Sequence, residues 1–497
     1  MKSVGAEFMR RRMLVVMLIW SFCLFGGTVW MALLMLTGWK PWSMVSGNFN
    51  ELAERQQWNE VNVTTNGPVF LDRNGYAMNH ISRVFEVLPA QCAMPSWTNR
   101  VVKETAITVA RPVIGVATKD AGGVVGLEKS LDRDIRTPFA YVPKIRWTMN
   151  ATGNTCETSY INAGAPYYPL HVQTTIDRSI QEDIEQILNN FRVKKGAVVI
   201  LDMRTADVIV MASRPVWRIS PQSWRNTALE AVAPGSIFKL VTWLAMAQQV
   251  DRIPKQEVKC TGHGDRINGV RCWSEAGHGQ MNGLEALVQS CNAWFAGNAK
   301  DVSMIQLKTI ARRLGLFQRI GSEGQWSGEQ SGDFAIGADD MYERAQSMIG
   351  QRNVRMTPLQ AANLMVTIWN EGKVATPRVV TAITDARGMV RKQFPVKWLS
   401  GIRVGLPVEY AALKVALRNT VERGTGKILH NSVLGVAGKT GTAQNTNTEH
   451  QWFIGYTPAD APKYAFAVVI EDLSPNLSSQ VLPLTKEIVT RMSKNKM

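Results

Sequence analysis

The sequence of 497 residues lacks internal repeats and low-complexity tracts, and it has fewer acidic than basic residues. Without a repeat, a solenoid or propeller array is excluded. Hydrophobic residues make up 45% and charged residues 19%, which excludes a disordered or fibrous protein. Lys plus Arg number 56 against 40 Asp plus Glu, a net charge of +16. A basic protein binds nucleic acid, lies on an anionic membrane or acts on an acidic polymer, and composition does not choose among these.

Long apolar runs are also scarce, because only residues 13–39 form one and no comparable run follows. A membrane-spanning helix needs about 20 apolar residues, whereas the core of a cleaved signal peptide has about 7–15. The stub 1–12 carries Lys2 and Arg10 to Arg12 against Glu7, and positive residues stay in the cytoplasm. We therefore expect a single-pass membrane protein whose residues after Lys40 are extracytoplasmic, which argues against a nucleic-acid partner.

Cysteine is too rare for a disulfide scaffold, with six residues in the whole chain. Cys23 falls in the expected anchor, and the other five follow it: Cys92, Cys156, Cys260, Cys272 and Cys291. Disulfides form outside the cytoplasm, but five is an odd number. At least one outer thiol is expected to stay free or to pair with another chain.

The chain after the anchor divides into two predicted domains. Residues 40–175 have short extended runs rich in turn residues, including a hairpin signal at Asn74 and Gly75, and predict a β-rich pedestal. Helical spacing over 177–191, with Asp177 as the cap, marks the junction with a domain over 176–497. In that domain strands precede and follow a helical middle, which predicts an α+β fold with one antiparallel sheet whose first and last strands are neighbours. The predicted strands are 196–201, 208–212, 435–442, 452–456 and 464–471, and the predicted helices are 236–249, 284–301, 357–370 and 482–492.

Ser236 and Lys239 form the first candidate catalytic pair. Pro234 and Gly235 break the preceding segment, so Ser236 begins a helix and Lys239 lies one turn further on the same face. A Lys amine among apolar neighbours has a lowered pKa and accepts the proton of a serine hydroxyl. By itself the pattern is weak, since Ser-x-x-Lys is expected about twice by chance in a chain of this length.

Two further motifs follow in the sequence. In Ser290-Cys291-Asn292, Ser290 is a candidate proton relay and Asn292 a candidate amide-binding residue, although the triplet by itself is more often explained by a helix-capping serine. In Lys439-Thr440-Gly441-Thr442, the ammonium and hydroxyl groups suit a substrate carboxylate, and Gly441 leaves room for a substrate backbone at the strand edge. Lys-Thr-Gly is expected only about once in ten such chains.

The three motifs together resemble the set shared by β-lactamases and penicillin-binding proteins. Their order and their separations of 54 and 203 residues from Ser236 are similar to those of the penicillin-binding transpeptidases. Further similarity to the class B, monofunctional members covers most of the chain after the anchor. It is carried by residues 72–75, 126–129, 175–177, 350–351, 357–360, 424–426 and 452–456.

The resemblance implies a penicillin-binding transpeptidase fold and a peptidoglycan D,D-transpeptidase of the bacterial cell membrane. Ser236 is then the nucleophile, Lys239, Ser290 and Asn292 complete the catalytic set, and residues 439–442 bind substrate. Peptidoglycan stem peptides, β-lactams and a polytopic glycan polymerase are the implied partners, and no metal or cofactor is expected. A β-lactamase, a D,D-carboxypeptidase with the same site and a non-catalytic wall-synthesis scaffold are the alternatives.

The cysteines near the second motif permit two interpretations. Cys260, His263, Cys272 and His278 are residue types that bind zinc, although a glycine-rich loop explains the two histidines equally well. Alternatively, a Cys272–Cys291 disulfide holds the second motif in an inactive geometry, with Cys260 as a competing partner. That redox arrangement resembles sporulation-type members of the family, and the sporulation interpretation depends on it.

Overall fold

The computed structural model divides the chain into two compact units, 1–65 with 82–104 and 138–165, and 66–81 with 105–137 and 166–497. Cys92 lies outside the described residues. The structure describes residues 3–37, 58–62, 68–78, 109–118, 122–136, 144–149, 155–161, 167–215, 225–249, 254, 256–264, 266–337, 340–399, 401, 403–445, 447–475 and 478–494.

The first unit contains a long helix, Ser3–Thr37, and a small antiparallel sheet. Within the helix, Met9–Leu33 is long and apolar enough to cross a membrane, and its side chains are exposed. It is the one such helix in the described part of the chain, so the expected apolar helix is present and starts earlier than predicted. The sheet has the strand order Trp58–Asn62, Lys144–Met149, Thr155–Ile161.

A five-stranded antiparallel sheet, called here the central sheet, organises the second unit. As predicted, its last and first strands in the sequence pair with each other, with Val468 opposite Val198. Successive residues of the first strand face two different hydrophobic clusters, because helices cover both faces of the sheet. Val199 belongs to one cluster, and Val198 belongs to the other. This explains an unbroken apolar run instead of an alternating one. The strand order is Ala437–Gln444, Glu449–Thr457, Tyr464–Leu473, Gly196–Asp202, Val208–Arg214.

The helices on the central sheet begin at local capping residues, of which Asp177 was predicted from the sequence. Asp177 accepts a hydrogen bond from the Ile180 N–H at 3.2 Å and caps the junction helix. Thr357 and Gln360 form a capping box at the start of another. The junction helix and the C-terminal helix both pack in the hydrophobic cluster that contains Val198. The helix that Thr357 caps packs in the cluster that contains Val199. The longer helices of this unit are Arg178–Asn190, Lys239–Gln249, Met304–Arg313, Met341–Met348, Pro358–Trp369, Pro407–Glu422 and Val481–Lys494.

A second sheet of four strands contains the predicted turn at Asn74 and Gly75. The Gly75 N–H donates to the Asp72 carbonyl at 3.0 Å, which closes the turn. The chain returns only as a single bridge between Leu71 and Ala77, so the hairpin is shorter than predicted. The strand order is Val390–Gln393, Val380–Thr384, His171–Thr174, Val69–Leu71.

Short elements complete the second unit. The short helices are Arg111–Ile114, Gly126–Ser130, Asp132–Ile135, Gly283–Val288 and Asn292–Gly297, with 3-10 turns at Thr227–Leu229, Gly235–Phe238, Ala299–Asp301 and Lys427–Leu429. The two-stranded sheets pair Val116–Thr118 with Gly122–Val125, Val258–Cys260 with Gly279–Met281, Arg266–Ile267 with Val270–Arg271, Asp333–Phe334 with Val354–Arg355, and Ala375–Thr376 with Lys397–Trp398.

Candidate active site

Ser236 lies in the 3-10 turn Gly235–Phe238, called here the serine turn, directly before the helix that begins at Lys239. The predicted helix start is therefore shifted by one turn. Gly235 has a φ of 54°, and a Cβ on it would lie 2.2 Å from the Thr442 carbonyl oxygen. A residue without a side chain is required there. The serine turn is thus held against the strand that carries the third motif.

Lys239 is fully buried and contacts the second motif directly. Its Nζ donates to the Asn292 Oδ1 at 2.6 Å, to the Ser290 carbonyl at 2.8 Å and to the Ser290 Oγ at 3.4 Å. Burial lowers the pKa of Lys239 to about 8, and the charges of Cys291 and Cys272 oppose that shift. Near pH 8 a substantial fraction of this amine is therefore neutral and able to accept a proton.

The second motif lies at a break between two helices, so the prediction of one continuous helix over 284–301 is wrong. Gly283–Val288 ends before the motif, and Asn292–Gly297 begins inside it. Ser290 has a φ of 54°, in the left-handed region that cannot continue an α-helix. The break is what allows the Ser290 carbonyl and hydroxyl and the Asn292 amide to meet on one ammonium group.

The third motif lies on Ala437–Gln444, at one edge of the central sheet. Lys439 is fully buried, and its pKa lies well below the usual value because of burial and the nearby charge of Lys239. The two lysines are therefore close enough to repel when both are charged. Thr440 Oγ1 is hydrogen-bonded to Thr425 Oγ1 at 2.6 Å.

Gly441 permits a close approach within the protein itself. A Cβ at this position would lie 2.8 Å from Ile237 Cγ2 and 2.9 Å from the Pro234 carbonyl oxygen. The missing side chain thus lets the serine turn itself pack on the strand. Together with Gly235, this contact brings Ser236 beside Thr442 although the two are far apart in the sequence.

Two residues without an assigned role support the site. Gln351 donates from Nε2 to the Thr442 carbonyl at 3.3 Å and accepts from the Gln444 N–H at 3.3 Å. Thr425 holds the hydroxyl of the third motif, as described above. Both belong to segments that resemble the family, which was the available signal, but only the folded chain shows which side chains they contact.

A cleft of about 460 Å³ opens beside Asn292 and Gln351. Three arginines line it, Arg271, Arg352 and Arg355, and none of them was a sequence-predicted site residue. Their charges suit a ligand with carboxylates. A larger cleft, of about 870 Å³, contains none of the predicted site residues, so cleft size alone does not mark this site.

Three cysteines and one histidine meet next to the second motif. The ligand atoms of Cys260, Cys272, Cys291 and His278 all lie within 4.8 Å of one another. The three thiols are free, with 4.0 Å between the sulfurs of Cys272 and Cys291. The quartet considered from the sequence is therefore changed by one member, since Cys291 takes the place of His263 in this group.

Comparison with known protein families agrees with this arrangement. Residues 196–492, more than half of the chain, match the model of the penicillin binding protein transpeptidase domain. The chain belongs to the penicillin-binding protein transpeptidase family. The matched region includes the serine turn, the second motif and the edge strand of the central sheet.

Curated relatives are similar over most of the chain. Stage V sporulation protein D of Bacillus subtilis is 27% identical over 387 residues, which cover 72% of this chain and 58% of that protein. The peptidoglycan D,D-transpeptidase MrdA of Haemophilus influenzae is 26% identical over 369 residues, which cover 64% of this chain and 55% of that protein. The chain thus spans less than two thirds of the length of these two relatives.

Solved structures share the fold. Penicillin binding protein 3 of Mycobacterium tuberculosis, solved in complex with aztreonam, aligns with a TM-score of 0.66 and 21% identity, over 88% of this chain and 97% of that one. A chain from a peptidoglycan synthase complex, described as coordinating polymerization and crosslinking, aligns with a TM-score of 0.65 and 21% identity, over 97% and 98%. At this level of identity the likeness establishes the fold.

Proposed function

We propose that this protein is a peptidoglycan D,D-transpeptidase that crosslinks stem peptides through an acyl-enzyme on Ser236. The observation that carries the proposal is the buried Lys239 amine, which contacts both Ser290 and Asn292 directly after the serine turn. A desolvated amine of lowered pKa, three residues after a serine on a turn, is the type of group that accepts the proton of a serine nucleophile. The transpeptidase relatives support the acyl-transfer class.

In the proposed reaction, the Ser236 Oγ attacks the carbonyl of the penultimate D-Ala while the Lys239 amine accepts the hydroxyl proton. The Lys239 ammonium then gives that proton to Ser290, and Ser290 passes its own hydroxyl proton to the nitrogen of the terminal D-Ala as the amide bond breaks and free D-Ala leaves. The backbone N–H groups of Ser236 and Thr442 stabilise the oxyanion. An amine of a neighbouring stem peptide then attacks the ester carbonyl and forms the crosslinking amide as the bond to the Ser236 Oγ breaks. The proton that the amine loses passes through Ser290 and Lys239 to the Ser236 Oγ, which restores the enzyme.

Substrate binding is assigned to the edge strand of the central sheet. Lys439 and Thr440 bind the substrate carboxylate, and the backbone of Gly441 and Thr442 pairs with the extended peptide, as strand addition does at other sheet edges. Arginines of the adjacent cleft add positive charge for acidic groups of the stem peptide. A β-lactam occupies the same place and acylates Ser236.

The proposed placement in the bacterial cell follows from the apolar helix and the charges before it. Residues 1–12 are cytoplasmic, 13–39 cross the membrane, and the pedestal of 40–175 and the transpeptidase domain of 176–497 are extracytoplasmic. A polytopic glycan polymerase is the proposed partner, supported by the similar chain in a complex that polymerizes and crosslinks. The net charge of +16 suits an anionic membrane and wall and needs no nucleic acid.

Labelling with a fluorescent penicillin tests the proposal. We expect the full chain to be labelled, Ser236→Ala to lose all labelling, and Ser331→Ala, at an exposed serine on the same unit, to be labelled as the wild type is. Mass spectrometry should locate the adduct on Ser236. A wild-type protein that folds and is not labelled would overturn the catalytic assignment. Incubation with a donor peptide and an amine acceptor separates crosslinking from the hydrolysis of a carboxypeptidase.

A further inference from the structure

We propose that Cys260, Cys272, Cys291 and His278 form a zinc site beside the active-site motifs. The four residues come from three parts of the chain. Cys260 ends the strand Val258–Cys260, Cys272 and His278 flank the loop before Gly279–Met281, and Cys291 lies at the break between the two short helices. Three thiolates and one imidazole form one of the ligand sets that hold structural zinc in proteins.

Two of the distances between the ligand atoms equal those of a tetrahedral site and a third is slightly longer, and all four atoms lie within 4.8 Å of one another. With Zn–S bonds of about 2.3 Å and Zn–N bonds of about 2.0–2.1 Å, the ligand atoms of a tetrahedron lie about 3.5–3.8 Å apart. The His278 Nδ1 lies 3.5 Å from the sulfurs of both Cys260 and Cys272, and the sulfurs of Cys272 and Cys291 are 4.0 Å apart. A disulfide needs about 2.05 Å between two sulfurs and leaves the other two groups without a role.

Burial and hydrogen bonding favour a ligand at this point. The three cysteines are at most 2% exposed. Nε2 of His278 is buried without a hydrogen-bond partner among the described residues, so the ring's polar contacts lie on the sulfur side. Trp273 packs edge-on against the imidazole at 5.2 Å between ring centroids, which holds the ring in this orientation. A neutral imidazole so oriented offers its Nδ1 lone pair to a metal.

Backbone donors surround the sulfurs as they do around metal-bound thiolates. N–H groups of Ser274, Asn292 and Ala293 point at the sulfur of Cys272, and that of Trp294 points at Cys291. Such donors stabilise a thiolate, the form of cysteine that binds zinc. Binding one Zn²⁺ releases the three thiol protons to solvent, and the zinc with three thiolates and a neutral imidazole then carries a net charge of −1.

The site has a direct mechanical link to the second motif. Cys291 stands between Ser290 and Asn292, both of which contact Lys239. Zinc would tie Cys291 to two other chain segments and so hold the left-handed turn at Ser290 in place. We therefore assign a positioning role to Cys291 and its three co-ligands, one that does not involve contact with the substrate.

Metal analysis of the full-length chain, purified in detergent under reducing conditions without chelator, tests this proposal. We expect about one zinc per chain by elemental analysis and an X-ray absorption spectrum with three sulfur and one nitrogen neighbours. Replacement by Co²⁺ should give intense thiolate-to-cobalt charge-transfer bands. A folded wild type that takes up no zinc would overturn the site, as would a spectrum dominated by oxygen ligands or a Cys272–Cys291 disulfide persisting in zinc-treated protein.

Variants separate the site from nearby residues of the same type. Cys260→Ser and His278→Gln should lose zinc, whereas His263→Gln and Cys23→Ser, outside the group, should keep it. In the wild type, a chelator should slow penicillin acylation about tenfold or more, and added Zn²⁺ should restore it. If the ligand variants fail to fold, the absorption spectrum of the wild type still decides. Because zinc content and penicillin labelling are separate readouts, this inference and the proposed function fail independently.

Discussion

The Nζ of Lys239 donates a 2.6 Å hydrogen bond to the Oδ1 of Asn292, 53 residues away in the sequence. The bond joins the helix that follows the serine turn to the helix that starts inside the second motif. It fixes the orientation of the Lys239 amine. The catalytic assignment of the chain depends on this contact.

Replacing Asn292 should slow acylation without preventing folding, because its amide is part-buried and fills no core position. We expect Asn292→Ala to reduce the rate of penicillin acylation about 100-fold, since Lys239 loses its orienting acceptor. Asn292→Asp keeps the acceptor but adds a negative charge, which raises the pKa of Lys239 and should move the pH profile upward. Stopped-flow or gel-based labelling measures both. Asn431→Asp, at an exposed asparagine, should behave as the wild type does.

Acylation should become faster as the pH rises through about 8. The pKa of Lys239 is lowered to about 8 by burial, and only the neutral amine accepts the serine proton. Below that pH the amine is protonated and the rate falls. Labelling rates at a series of pH values test this, and a rate that is flat or falling through this range would contradict it. Lys239→Arg should be inactive throughout, because a guanidinium stays charged.

Gly441→Ala should disturb the serine turn. The added Cβ would lie 2.8 Å from Cγ2 of the fully buried Ile237 side chain and 2.9 Å from the Pro234 backbone carbonyl oxygen. We expect a loss of about 1–3 kcal/mol of stability and slower acylation. Thermal unfolding and labelling measure the two effects. Gly337→Ala, where nothing lies within 4 Å of the new Cβ, is the matched control and should change neither.

The pair formed by Arg378 and Asp207 should contribute more to stability than exposed pairs do. Two parallel hydrogen bonds of 2.7 and 2.8 Å join them, and their side chains are 12% and 17% exposed. Arg378→Met leaves a carboxylate largely desolvated and should cost about 1–3 kcal/mol. Arg136→Met breaks an exposed pair and should cost about 0–1 kcal/mol. Equal shifts in melting temperature for the two variants would contradict this prediction.

Strong local signals made much of the fold predictable. Asp177 caps a helix whose apolar residues recur at helical spacing, and Thr357 begins another through a capping box. The central sheet was predictable because Gly196–Asp202, Val208–Arg214 and Tyr464–Leu473 contain apolar runs at both ends of one domain. The break at Ser290 was not predictable, because the left-handed conformation there is stabilised by contacts with distant residues and not by local propensity.

The site shows the same division. Ser236, Lys239, Ser290 and Lys439 stood out as motif members, and the structure brings the first two motifs into direct contact. The grouping of Cys291 with Cys260, Cys272 and His278 could not be read from spacing, because the two-stranded sheet and the helix break place these residues together. The contacts of Thr425 with the Thr440 hydroxyl and of Gln351 with the Thr442 carbonyl also exist only in the folded chain.

The sequence by itself determined the order of the motifs, the class of protein that they resemble and the apolar strands of the central sheet, because these depend on residue types and on local periodicity. It did not predict the four-stranded sheet, which contains a parallel pair of strands. Tertiary structure alone decided which groups touch. It buried Lys239, so its pKa falls, and it turned the chain at Ser290 so that Asn292 faces that amine. It also gathered three thiols around one imidazole. Desolvation and ligand geometry arise from atoms distant in the sequence, and only folding brings those atoms together.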